Sequence, residues 1–147
     1  MDAAAAAGAG SGRGPALGPW TEAPAIFQRL ETRSLFGPEP FSGGEALTGG
    51  WLRTRDGDPL SPELIALFTD AWWPAPFSRL DAPAMAPTLE LTIHFRARPD
   101  PRESYALVRF TAEAAIDGFF DERGEIWGTD GRLLAQSRQL ALLRPMG

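Results

Sequence analysis

Ser61 to Pro74, SPELIALFTDAWWP, is the stretch on which the fold turns. Ser61 suits an N-cap, Pro62 the first helical position and Glu63 the positive end of the helix dipole, while Pro74 stops the run. Leu64, Leu67, Phe68, Ala71 and Trp72 follow the spacing of one apolar helix face, so a helix is expected over 61–73. No other segment reads this way. Everything after it has the period of a strand.

In TLELTIHFR, residues 88–96, Leu89, Leu91, Ile93 and Phe95 alternate with Thr88, Glu90, Thr92, His94 and Arg96. SYALVRFTAEAAI and FFDERGEIWG follow, and then GRLLAQSRQLALLRP, with Asp117-Gly118 and Asp130-Gly131 as hairpin signals at the junctions. Ahead of the helix, AIFQRLETR is expected as an edge strand and Trp51 to Arg55 as a short second one, closed by a turn at Asp56-Gly57. One helix against a curved antiparallel sheet makes the chain α+β, with too few helices for a doubly wound fold.

The 147 residues suffice for one domain, and 44% hydrophobic content for its core. Residues 1–19 are low in complexity and rich in Ala, Gly and Pro. They are read as a disordered lead or linker, with ordered structure over 20–147. The alanine run carries an acid at Asp2, no basic n-region, and glycines where an apolar region should continue, so it is a poor secretion signal. No stretch approaches transmembrane length. A net charge of −5 argues against nucleic acid. The absence of cysteine removes disulfides, thiolate metal sites and a cysteine nucleophile, and His94, the single histidine, removes a multi-histidine metal site. No GxSxG elbow is present. The expectation is a cytoplasmic protein with no metal, no cofactor, no nucleic acid partner and no membrane.

Two polar residues sit badly in this scheme. On the last strand, Leu133, Ala135, Ser137, Gln139, Ala141 and Leu143 share the small apolar face that should look inward, which places a primary amide among core positions. An unpartnered amide there costs about 1–3 kcal/mol, so something polar must meet it; a structural hydrogen bond to neighbouring backbone would serve. Asp70 lies in the last turn of the expected helix, where the dipole disfavours negative charge, among Phe68, Trp72 and Trp73. A solvated position on the far face of the helix is the ordinary alternative.

FSGG and GGWLR before the helix, FTDAWWPA within it, PTLELTIHFR after it and GRLLAQSRQLALL at the end resemble, in order and spacing, the C-terminal hotdog domain of the acyl-CoA thioesterase II (TesB-like) family. The resemblance runs from about Ile26 to Leu143. It implies a hotdog fold, an antiparallel β-sheet wrapped around one long central helix. It also implies a catalytic trio that falls on Asp70, Thr88 and Gln139, holding the water that hydrolyses an acyl-CoA to free fatty acid and CoA. Strict alternation puts Thr88 on the polar face, so a bend or bulge after Pro87 would have to re-aim it; Thr92 stands as a substitute.

The family usually carries two hotdogs where this chain has one. A lone hotdog implies a homodimer or higher homo-oligomer through hotdog pairing, with acyl-CoA as the substrate. The alternative is a non-catalytic acyl-CoA-binding or assembly module, half of a double-hotdog protein. A dehydratase of the same fold would need His94 paired with an acid, and His94 lies mid-strand between Thr92 and Arg96. Trp72 and Trp73 divide most simply into one core and one interface residue, FDERGE reads as a solvated charged stretch, and nothing selects among Arg96, Arg98 and Arg102 as phosphate ligands.

Overall fold

A computed structural model of the chain describes residues 3, 6 and 24–146. The remainder of the 1–19 lead, and the start of order expected at Trp20, lie outside the described residues. Ala3 and Ala6 are helical and buried, in one apolar cluster with Phe36, Trp51 and Leu107.

Strands β1 (Leu30–Phe36), β2 (Leu47–Thr54), β5 (Ala106–Thr111), β7 (Phe119–Trp127), β8 (Leu133–Leu142) and β4 (Thr88–Phe95) form an antiparallel sheet in the order β1-β2-β5-β7-β8-β4. The two-residue β6 (Ala115–Ile116) pairs with β7, and β3 (Ala84–Met85) pairs with β9 (Arg144–Pro145) in a separate small ladder. The edge strand expected over 25–33 begins later. Pro24 fixes φ at −52° and starts a 3-10 turn, Ala25–Arg29, so pairing begins only at Leu30. Between β6 and β7, Asp117 and Gly118 both take positive φ, 55° and 79°, the conformation of a two-residue hairpin loop whose twist matches the strands.

Helix α1, Pro62–Phe68, crosses one face of the sheet. Its start is as expected, with the Ser61 hydroxyl accepting from the Leu64 amide at 3.2 Å. It is much shorter than the long helix expected. The Thr69 hydroxyl donates to the Ala66 carbonyl at 2.7 Å and turns the chain at the helix end. Pro74 then disfavours the α conformation at Trp73, and the run resumes only as a 3-10 helix, Ala75–Arg79. The buried stripe is Ile65, Phe68, Ala71 and Trp72; Leu67, expected inside, is exposed.

Because side chains alternate along strands, the sheet has two apolar faces. Leu52, Val108, Phe110, Ile126 and Leu134 meet Ile65, Phe68, Trp72 and Trp73 on the helix side. Trp51, Leu107 and Phe36 form the opposite face. Both tryptophans of the Trp72-Trp73 pair are core, with ring centroids 4.6 Å apart, which corrects the expected division into core and interface. Trp72 is pinned by its indole N–H, which donates to the Thr48 hydroxyl at 2.7 Å in the interior.

Strand β4 has only β8 as a partner and lies at the sheet edge. The side chains of Leu89 and Phe95, expected to be covered, are therefore 54% and 53% exposed.

Candidate functional site

Three elements converge where β4 begins. Strand β8 carries Gln139 inward, as its period of two demands, and the residue is buried at 6% exposure. Asp70 follows α1 in the turn that Thr69 starts, with its N–H bonded to the Leu67 carbonyl at 3.0 Å. Thr88 opens β4.

The ladder between β4 and β8 explains how Thr88 comes to face this point. Thr88 pairs with Ala141 and Glu90 with Leu140, so Leu89 is an extra residue, and regular pairing resumes with Leu91 opposite Gln139. This bulge flips the side-chain parity between Thr88 and the rest of the strand. Thr88 thereby joins Leu91, Ile93 and Phe95 on the Gln139 side, despite the alternation of the sequence. Thr92 pairs with Arg138 on the other face, where its hydroxyl meets Glu90 at 3.5 Å, and is no substitute for Thr88. His94 shares that outer face and is exposed.

The Gln139 side-chain amide donates to Asp70 Oδ1 at 2.9 Å and to Thr88 Oγ1. An ionised carboxylate only accepts, so the nitrogen of the amide must be the atom facing Asp70. Both amide protons are then engaged. Thr88 Oγ1 accepts one of them, which leaves the threonine's own proton to be given outward. Asp70 and Thr88 are solvent-exposed whereas Gln139 is buried, so the amide forms the floor of the group. Of the two readings open for Asp70, its carboxylate is indeed at the surface, but it is tied to the sheet through Gln139.

A fourth polar group lies beside these three and was not anticipated. Glu122 on β7 is directly opposite Gln139 in the β7–β8 register and is buried. Its Oε2 accepts the Ala75 N–H at 2.6 Å. Burial pushes its carboxyl up to about 8 and the nearby Asp70 charge adds to the rise, against the opposing pull of the Ala75 N–H. FDERGE is therefore not wholly a solvated charged stretch. The signal was present in the sequence: Phe120, Glu122, Gly124 and Ile126 share one parity, and the other three members are small or apolar.

Among the described residues no cluster of His, Asp or Glu is arranged to hold a metal ion, and no helix is long and apolar enough to cross a membrane. Arg102 is engaged by Asp100 at 2.7 Å within its own loop. Arg96 and Arg98 are exposed on either side of Ala97, and neither approaches the Gln139 group through a hydrogen bond.

An antiparallel sheet laid over a helix is the arrangement of a hotdog-fold protein. A protein from Alicyclobacillus acidocaldarius described as having a hotdog fold superposes with a TM-score of 0.76 at 27% identity, over 90% of this chain and 52% of its own. The model of the acyl-CoA thioesterase C-terminal domain matches residues 3–143, and the chain belongs to that family.

A Thermobifida fusca protein provisionally described as a thioesterase II aligns at 32% identity and a TM-score of 0.63, over 78% of this chain and 46% of its own. The tesB protein of Mycobacterium avium subsp. paratuberculosis shares the fold, with a TM-score of 0.65 at 17% identity, covering 90% of this chain and 56% of its own. The chain thus spans about half the length of each of these three structures. None of the curated proteins matches it.

Proposed function

We propose that this chain is an acyl-CoA thioesterase, hydrolysing an acyl-CoA to a free fatty acid and CoA through a water held by Asp70, Thr88 and Gln139. The observation that carries this reading is the double donation of the Gln139 amide to Asp70 and Thr88, which brings together residues from three separate segments. In this mechanism the Thr88 hydroxyl donates to the oxygen of a water, and Asp70 takes a proton from it. The water oxygen attacks the thioester carbonyl carbon, the tetrahedral intermediate collapses, the C–S bond breaks, and the CoA thiolate leaves and is protonated. Gln139 fixes the angle between base and hydroxyl. A positioned base acting on an oriented water contributes several kcal/mol to lowering the barrier. No nucleophilic side chain and no cofactor takes part.

The test is thiol release from short-, medium- and long-chain acyl-CoAs by the wild type and by Asp70→Asn. The asparagine retains an acceptor for the Gln139 amide but is no base, so a loss of about 100-fold or more in kcat with an unchanged melting temperature is expected. Equal turnover by the two proteins would remove Asp70 from the mechanism.

A second reading, a non-catalytic acyl-CoA-binding or assembly module, is favoured by one observation, that the chain covers only about half of the Alicyclobacillus and Thermobifida structures. It predicts acyl-CoA binding without turnover. In either case we propose that a second copy pairs at the β4 edge, whose backbone is open on one side and whose Leu89 and Phe95 are exposed. Sedimentation of the wild type and of Phe95→Lys would show a dimer and a monomer, respectively.

A further inference from the structure

Glu122 is the buried ionisable group that the mechanism above leaves unused. It stands opposite Gln139 on the neighbouring strand, and its carboxylate oxygen Oε2 takes the Ala75 N–H at 2.6 Å. Ala75 is fully buried and begins the 3-10 helix that follows Asp70, Trp72 and Pro74. The short segment from Asp70 to Ala75 is thus held at three points: Asp70 by Gln139, Trp72 by Thr48, and Ala75 by Glu122. Two of the three anchors belong to one β7–β8 register pair.

We infer that Glu122 is a positioning residue of this site, whose carboxyl clamps the Asp70 segment to β7 beside Gln139 and so sets the direction from which Asp70 meets a bound water. The inference rests on the thioesterase reading for its catalytic meaning, but the clamp itself does not. Asp70 is the charged group that faces Glu122 from the segment after α1. Asp121 and Arg123 on β7 and Arg138 on β8 have the opposite parity and pair away from it, Arg138 with Asp121 and Arg123 with Glu113. On β4, Glu90 and His94 share the outer face with Thr92, and on the 3-10 helix Arg79 is exposed.

A protonated Glu122 adds no charge to a site where an oxyanion must develop, whereas its ionised form would oppose that charge. Titration near pH 8 should therefore lower turnover on the alkaline side.

The experiment compares wild type with Glu122→Gln, which keeps a neutral acceptor, and Glu122→Leu, which keeps bulk without one. Leucine should lower kcat about tenfold or more and leave KM within about threefold, while glutamine should retain activity at neutral pH and lose the alkaline fall. NMR gives a second readout that needs no turnover: the Ala75 backbone amide and the Gln139 side-chain amide should move in Glu122→Leu and stay near their wild-type positions in Glu122→Gln.

Unmoved resonances in Glu122→Leu would overturn the clamp, whether or not any thioester is hydrolysed. If the wild type itself turns over no thioester, the catalytic reading fails and the resonances alone decide the clamp. Should Glu122→Leu fail to fold, Glu122→Ala takes its place, and unmoved Ala75 and Gln139 resonances in that variant would overturn the clamp.

Discussion

Gln139 and Asp70, 69 residues apart in the chain, are joined by a hydrogen bond of 2.9 Å from the Gln139 amide to Asp70 Oδ1. The donor is buried and the acceptor is exposed, so this bond carries the order of the core to a carboxylate at the surface. A surface carboxylate without such a tether would sample many rotamers, and a base must be held in place to act on a water.

Changing Gln139 to Glu should expose this dependence. The new carboxyl would lie against both Asp70 and Glu122, and burial beside two acids would oppose its ionisation. We expect a loss of about 2 kcal/mol in stability near pH 8 that recovers near pH 5, where the introduced acid is protonated. Thermal melts at the two pH values measure it, and equal losses at both would contradict the three-acid contact.

The bulge at Leu89 puts Thr88 and Thr92 on opposite faces of β4. Thr88→Val should lower kcat about tenfold, Thr88→Ser should restore most of it, and Thr92→Val should change nothing beyond about twofold. Steady-state kinetics on the three variants would contradict the assignment if Thr92→Val proved the more damaging.

Glu122 makes the stability of the chain depend on pH. Its folded-state value, about 8, lies above the ordinary 4.5, so between those values the folded chain holds a proton that the unfolded chain has released. Its contribution is fully present below pH 4.5 and is lost as pH rises through about 8. The slope from this group is about −1.4 kcal/mol per pH unit, a few kcal/mol across the window. Urea unfolding of the wild type and Glu122→Gln between pH 5 and pH 8 should give a steeper decline for the wild type; parallel curves would contradict it.

Glu31 has the opposite sign. It accepts from the Tyr105 hydroxyl and from Arg53, each at 2.7 Å, and from Arg33 at 3.0 Å, tying β1 and β2 to the start of β5. The Tyr105 hydrogen bond foremost, then Arg53, lowers its carboxyl to about 2. The depressed value means that its stabilisation is present above pH 4.5 and is lost as pH falls through about 2. Because the cluster is partly solvated, Glu31→Gln should cost only about 1 kcal/mol at pH 7, and less at pH 3. Paired urea titrations at those pH values check it.

Much of this was legible in the residues alone. Period two along 133–143 turned Gln139 inward, Ser61-Pro62 started the helix, and Asp117-Gly118 closed a hairpin, because each of these is set by backbone geometry within a few residues. The pairing of Asp70, Thr88 and Gln139 came from resemblance to a family, whereas local pattern pointed Thr88 the wrong way. The bulge that corrects it is a property of two paired strands, and no single strand encodes its partner's register.

Strand order likewise left the apolar side of β4 open, since alternation shows which residues share a face but not whether anything covers it. Glu122 marks the same boundary. Its parity with Phe120 and Ile126 was written in the chain, but its burial beneath Ala75 required the Pro74 turn to fold back over the sheet. Sequence determined which side chains share a face wherever an element runs without a bulge. Only the tertiary structure decided which faces meet, because that depends on packing between segments far apart in the chain.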